Sequence, residues 1–328
     1  MKRTAELLLL TMVFFSGPLA RAQQDPPLDA TRRIFPDVGA GFRAVRHSAD
    51  GSYYILAPPP PAALVFDAGG KKLRQIPAQP RRGDTAFANS LDIDASGRVY
   101  VADLGGNAVN IYAADGTLFA HLLVPEPAQI VALPHDLFAV CSANADRLIA
   151  VYDLHGTLLR QFGEFADLSD DIELNHRLNA GHLAVDKAGN LYFAFRYLPE
   201  PTVRKYDPTS GYLLDELSLT PLDLQPMAQS ARHEIARAAS GAAISPHEII
   251  SAFGIDPETQ ELWLALGNVV LHLDNADNVT GTNRVYTTSG TRMVPNFILV
   301  EKDRLLLGND PLGIYEFPRS SGTVQRSE

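Results

Sequence analysis

The chain has 328 residues, of which 46% are hydrophobic and 20% are charged. This composition is typical of a folded globular protein and excludes a largely disordered one. The net charge of −10 argues against a nucleic-acid partner, because the phosphate backbone binds basic surfaces. Cys141 is the single cysteine, so no intramolecular disulfide can form.

The N-terminus has the three parts of a secretory signal peptide. Lys2 and Arg3 precede an apolar run that ends at Phe15, and Ala20 and Ala22 form a small-x-small cleavage pattern. We therefore expect the first 22 residues to be removed during export to the periplasm or the extracellular space. Later in the sequence no apolar run approaches the ~18 residues that a membrane-spanning helix needs, so no membrane span is predicted.

A repeat follows the signal peptide. Each copy contains two short apolar runs joined by a polar turn, then an aromatic-ended run, then a turn with glycine, as in "SLDIDASGRVYVADLGGNAVNIYAADGTLFAHL". The aromatic-ended run is the third run of each copy. Three of the five intervals between successive third runs are 40 to 46 residues long and two are longer, which indicates β-propeller blades with insertions. The third runs are anchored by Phe66, Tyr112, Tyr152, Tyr206, Leu273 and Phe317.

Six copies predict an all-β fold, a single six-bladed β-propeller over residues 41–328 with four antiparallel strands per blade and a short helical insertion. The segment "LDIDASGRVYVAD…NAVNIYAADGTL" resembles an NHL-type repeat of the six-bladed propeller superfamily, and "LAVDKAGNLYFAF…PTVRKYDPTSGYL" is similar. The resemblance implies the fold. It does not imply one function, because the superfamily includes binding scaffolds, lactonases and lyases.

One stretch of the second copy allows two interpretations. Asp92, Asp94 and Asp103 fall at positions of a calcium-binding loop, but the flanking residues alternate with period two, as strands do. An EF-hand would need helices there. Asp94 recurs as Asp186 and Asp256 at the head of other hairpin turns, where a carboxylate caps backbone N–H groups. We therefore predict strands, with Asp94 structural and Asp92 replaceable.

Two regions depart from the repeat, at residues 163–181 and 218–250. The second is rich in alanine, arginine and glutamate and predicts a short helix at about 227–239. Insertions on repeat folds often gather on the binding face. The N-terminal segment, 23–40, contains "TRRIFPD", which we expect to close the ring as the outer strand of the last blade; "GTVQ" near the C-terminus is the alternative.

Candidate ligand-binding residues come from the loops that enter each innermost strand, from the next position inward and from the ends of the second strands, because propeller ligands bind at the mouth of the central channel. Aligning the copies places amides, a hydroxyl, two arginines, a histidine and a carboxylate there. Any channel must be lined by some polar groups, so a purely structural role stays open. The candidate residues are Arg43, Asn89, Asp103, Gln129, His182, Arg196, Ser251 and Asn296.

These observations favour an exported, non-catalytic binding module, without cofactor or metal, for an unknown small molecule, glycan or protein. We expect a monomer.

The alternative is a metal-dependent enzyme on the same face, either a calcium lactonase-like hydrolase or a zinc lyase. By resemblance, the first would use a carboxylate-rich set, of which Asp103 is the one member here. The second would use converging histidines, with His176 and His247 approaching His182 from the insertions. A structural subunit of an envelope assembly is a third possibility.

The signal peptide gives the first testable prediction. We expect the exported protein to begin at Gln23, because cleavage after Ala22 follows the small-x-small pattern. N-terminal sequencing of the mature protein checks this, and a chain that keeps Met1 in the cytosolic fraction would contradict it.

Overall fold

The computed structural model describes residues 25–57, 62–77, 87–142, 145–221 and 224–319. These residues form six β-sheets. The first strand of each sheet contacts the first strand of the next, and the sixth returns to the first. The predicted six-bladed β-propeller is therefore confirmed. The signal peptide lies outside the described residues.

The strands follow the repeat. The N-terminal segment contributes β1 (Pro27–Asp29) and β2 (Arg32–Ile34). Blade one contains β3 (Ala44–His47), β4 (Tyr53–Ala57), β5 (Ala62–Phe66) and β6 (Lys72–Ile76). Blade two contains β7 (Ala88–Ile93), β8 (Val99–Asp103), β9 (Ala108–Tyr112) and β10 (Leu118–Leu123). Blade three contains β11 (Pro127–Leu133), β12 (Leu137–Ser142), β13 (Ile149–Asp153) and β14 (Leu158–Phe162).

The second half has the same organisation. Blade four contains β15 (Gly181–Val185), β16 (Leu191–Phe195), β17 (Thr202–Tyr206) and β18 (Leu213–Ser218). Blade five contains β19 (Ala252–Ile255), β20 (Leu262–Leu266), β21 (Val269–Leu273) and β22 (Val279–Tyr286). Blade six contains β23 (Phe297–Val300), β24 (Arg304–Asn309) and β25 (Gly313–Pro318).

The apolar faces of neighbouring blades form the core. All six anchor residues of the third runs are buried. Between blades two and three, the rings of Tyr100, Phe138 and Tyr152 form a row with centroids 5.8 and 5.5 Å apart. Burying one such side chain stabilises the fold by roughly 1.5–3 kcal/mol, so each blade is held chiefly by its neighbours.

Ring closure uses the N-terminal segment twice. β2 pairs antiparallel with β25 and forms the outer strand of blade six. β1 pairs in parallel with β22 as a fifth strand of blade five, which the repeat did not predict. An ion pair of 2.9 Å between Arg32 and Glu316 supports the closing strand. The alternative segment "GTVQ" lies outside the described residues.

Among the residues that the structure describes, two helices interrupt the sheets: α1 (Ile172–Leu178) and α2 (Gln225–Ala239). Each lies between the outer strand of one blade and the first strand of the next. α2 was predicted and α1 was not, although the Asp171 carboxylate caps it by accepting a hydrogen bond of 2.9 Å from the Leu174 N–H. The helices contact each other through Leu174, Leu178 and Ile235. In the described part of the chain, no helix is long and apolar enough to cross a membrane.

The stretch that resembles a calcium loop is a hairpin, so the prediction of two strands is confirmed. The Asp94 carboxylate accepts hydrogen bonds from the Ser96 N–H at 2.8 Å, the Arg98 N–H at 3.0 Å and the Tyr100 hydroxyl at 2.9 Å. Gly97 has a φ of +79°, which glycine adopts without strain. Asp94 therefore stabilises the turn.

The hairpin generates the second prediction. Because Asp94→Ala leaves several donors without their acceptor, we expect it to lower the free energy of unfolding by about 2 kcal/mol, equally with calcium and with a chelator. Urea unfolding in both buffers measures this. Asp115→Ala, in an exposed turn of the same blade, is the control and should cost less. A loss that appears with calcium alone would contradict the structural role.

Candidate ligand-binding site at the channel mouth

Seven of the eight candidate residues line one cavity of about 260 Å³. They lie together because the first strands of all six blades begin around the channel, and the residues at these starts face a common space. Arg196 joins them from the end of the second strand of blade four. The seven residues are Arg43, Asn89, Gln129, His182, Arg196, Ser251 and Asn296.

Asp103 is the eighth candidate and does not line this cavity. Its side chain is buried and accepts hydrogen bonds from the Phe87 N–H at 2.7 Å and the Gly106 N–H at 3.1 Å. A Cβ atom at Gly106 would lie 2.4 Å from the carboxylate, so glycine permits this close contact. Asp103 therefore holds the loop after β8, which alignment of the copies could not show.

Arg46 and Glu248 also line the cavity and were missed in the sequence. Arg46 lies two positions after the aligned residue Ala44, so the period of two along a strand could have identified it. Its Nε lies 3.1 Å from Oδ1 of Asp92. The other Asp92 oxygen accepts a hydrogen bond of 2.8 Å from the Ala132 N–H. Asp92 thus links the first three blades, a role that the repeat did not indicate.

Arg196 connects the cavity to the second insertion. Its Nη2 forms an ion pair with Glu248, and its carbonyl accepts a hydrogen bond of 2.6 Å from the Ile249 N–H. The segment after α2 is thereby held against blade four. Removing the Arg196 side chain would leave Glu248 without this partner, so this arginine has a structural role as well as a position in the site.

His182 is neutral at physiological pH. Its Nε2 donates a hydrogen bond of 3.2 Å to the Ile250 carbonyl, which leaves Nδ1 as an acceptor. Burial lowers the pKa of His182 to about 3, and the charges of Arg196 and Arg46 act in the same direction. The ring therefore adds hydrogen-bonding capacity to the cavity without adding charge.

Two buried polar atoms of the lining have no hydrogen-bond partner among the described residues: Nε of Arg196 and Oδ1 of Asn296. Leaving such a group unsatisfied costs about 1–3 kcal/mol. Buried polar groups are normally satisfied by protein, water or ligand. One donor and one acceptor of the lining thus have no partner among the described residues, and both atoms are buried.

The histidines of the zinc alternative lie in different environments. The His176 ring packs edge-on against Phe165 with centroids 5.0 Å apart. His247 is exposed, and its Nδ1 lies 2.9 Å from Glu234. Across the residues that the structure describes, no three histidine, cysteine, aspartate or glutamate side chains are grouped so that they could hold a metal ion.

Comparisons with known proteins agree on the fold. No protein-family model matches the chain, and no curated protein matches its sequence. A streptogramin B lyase structure is 13% identical, with a TM-score of 0.56 over 87% of this chain and 85% of that chain. A catalytically inactive virginiamycin B lyase from Staphylococcus aureus with quinupristin is 14% identical, with a TM-score of 0.55 over 87% and 82%.

Hydrazine synthase from Kuenenia stuttgartiensis is also similar, with 10% identity and a TM-score of 0.54 over 93% of this chain and 99% of that chain. Proteins with different names thus share this architecture with the chain. At such low identities the likeness shows the fold alone. It carries no activity over to this protein.

The half-buried His182 gives the third prediction. An unfolded histidine titrates near pH 6.5, so below about pH 6.5 the unfolded state binds a proton that folded His182 does not bind. Stability should therefore fall on acidification, by roughly 1 kcal/mol per pH unit for this group. We expect His182→Gln, which keeps an N–H for the Ile250 carbonyl, to reduce the slope of unfolding free energy between about pH 6.5 and about pH 5. Equal slopes from urea unfolding of the two proteins would contradict this.

Proposed function

We propose that the protein is an exported, non-catalytic binding module whose channel mouth takes up a small anionic molecule through a carboxylate or phosphate group. One observation carries the proposal. Three arginines and three amide side chains line the same cavity, with Arg196 Nε and Asn296 Oδ1 unpaired among the described residues. A planar guanidinium matches the geometry of carboxylate and phosphate oxygens.

The charge of the cavity supports an anion. Arg46 is paired with Asp92 and Arg196 with Glu248. Within the described part of the chain, no ion pair neutralises Arg43, which is exposed and lies over the Phe87 ring at 5.3 Å. Arg43 therefore contributes a positive charge at the mouth of a protein whose net charge is −10.

Binding rather than catalysis is supported by the state of the titratable groups. His182 donates to a backbone carbonyl, and Glu248 and Asp92 are engaged by arginines. Nε2 of His182 and the carboxylates of Glu248 and Asp92 thus each have a structural partner. The amides of Asn89, Gln129 and Asn296 suit hydroxyl groups on the same ligand, as in a hydroxy acid.

Export rests on the N-terminal sequence pattern, which predicts removal of the first 22 residues. The binding face would then meet molecules outside the cytoplasm. We expect a monomer, because the ring closes within one chain.

The fourth prediction tests the mouth. We expect Arg43→Ala to weaken binding of citrate, gluconate or inorganic phosphate by about tenfold or more, as loss of a charge-assisted hydrogen bond would. Its effect on stability should stay within about 1 kcal/mol, because the residue is exposed. Calorimetric titration and urea unfolding give the two values.

Lys72→Ala is the matched control, since Lys72 is an exposed cation on the outer strand of the same blade. It should leave binding of all three anions unchanged. Equal losses in both variants would mean that general charge, and not the mouth, attracts the anions. Tightly held zinc or calcium near one equivalent in the purified protein would contradict the proposal and favour the metal-dependent alternative.

A further inference from the structure

A second cavity of about 250 Å³ lies between blade three, blade four and the first insertion. We call it the side pocket. In contrast to the mouth, its walls are mostly apolar or aromatic. They include Ala128, Cys141, Leu148, Phe165, Ala180 and Tyr197.

The side pocket adjoins the mouth. Ala128 lines the pocket and the next residue, Gln129, lines the mouth; Tyr197 lines the pocket and the preceding residue, Arg196, lines the mouth. The guanidinium carbon of Arg196 lies 5.6 Å from the centre of the Tyr197 ring. A cation of the polar cavity and an aromatic wall of the apolar one are therefore in contact.

The aromatic walls are held in place by a buried amide. The Oδ1 of Asn179 accepts a hydrogen bond of 2.8 Å from the Ala166 N–H, and its Nδ2 donates one of 2.9 Å to the Ala166 carbonyl. This pair of bonds fixes the residue next to Phe165. The His176 ring packs against Phe165 from α1. The pocket is thus shaped before any ligand arrives.

The size and chemistry of the side pocket suit one aromatic ring. An apolar cavity of about 150 Å³ is large enough to bind benzene, and this pocket is larger. Phe165 and Tyr197 can contact a third ring in the tilted and offset arrangements that aromatic groups prefer. Four polar side chains complete the lining: Ser142, His176, Arg177 and Asn179.

We propose that the anion bound at the mouth carries an aromatic ring, and that this ring lies in the side pocket while the carboxylate contacts the arginines. The ligand class is therefore an aryl-substituted carboxylic acid. This inference rests on the proposed function, because it needs the anionic group to bind at the mouth.

The test compares two series of acids by calorimetric titration of the mature protein. Phenylacetate, 3-phenylpropionate and 4-phenylbutyrate carry the ring on linkers of increasing length; acetate, propionate and butyrate carry the same carboxylates without it. We expect the best aryl acid to bind at least about tenfold more tightly than its ring-free counterpart, as burial of an aromatic ring would give.

Two variants locate the ring. Ala128→Phe fills the side pocket and should abolish the gain from the ring while leaving the ring-free acids unchanged. Ala188→Phe, in an exposed turn of blade four, adds the same group elsewhere and should preserve the gain. If Ala128→Phe does not fold, the comparison of the two series on the unaltered protein still tests whether the ring contributes to binding, and the absence of a gain overturns the inference.

The outcomes separate the two proposals. If the ring gives no gain but Arg43→Ala weakens both series, the side-pocket inference is overturned and the anion-binding function stands. If Arg43→Ala weakens neither series, the proposed function fails and the inference fails with it. A gain that survives Ala128→Phe would place the ring elsewhere and would also overturn the inference.

Discussion

The structure depends on closure of the ring by a strand from the opposite end of the chain. β2 provides the outer strand of a sheet whose other three strands lie near the C-terminus. Glu316 in that sheet pairs with Arg304, whose Nη2 also donates a hydrogen bond of 2.8 Å to the Tyr53 hydroxyl of blade one. Closure therefore joins the last blade to the first through both backbone and side chains, and the six first strands meet around the channel only because the ring is closed.

Some polar side chains at the channel mouth hold the fold together, and others have no partner among the described residues. Carboxylates from other elements engage two of the three arginines, which holds blades and insertion together. Arg43 and the unpaired atoms of Arg196 and Asn296 keep polar capacity that the described residues do not use. In a protein with a net charge of −10, such a local positive site can attract an anion that the rest of the surface repels.

The features that repeat from blade to blade could be predicted from the sequence. The features that depend on contacts outside the repeat could not. The spacing of the anchors indicated six blades, and alignment of the copies placed seven residues at one cavity. Asp103 has the right position in the repeat, but its carboxylate accepts hydrogen bonds from the Phe87 N–H before β7 and from the Gly106 N–H after β8. The parallel pairing of β1 with β22 has no local signal at all. α1 did have a local signal, because Asp171 can cap a helix and apolar residues follow it at helical spacing. Its seven residues are too few, however, to show a clear helical period in the sequence.

The position of the closing strand also determines when the fold can be completed. Thr31 bonds to Glu316, 285 positions further along the chain. Contacts between residues so far apart in the sequence form late in folding. Joining the two ends costs chain entropy, and the strand pairing that offsets this cost cannot form until both strands are present. A ribosome delivers the chain from its N-terminus. Until β25 emerges, β2 has no partner strand and the ring stays open, so blade six and the channel it helps to line are completed only after five blades have already been synthesised.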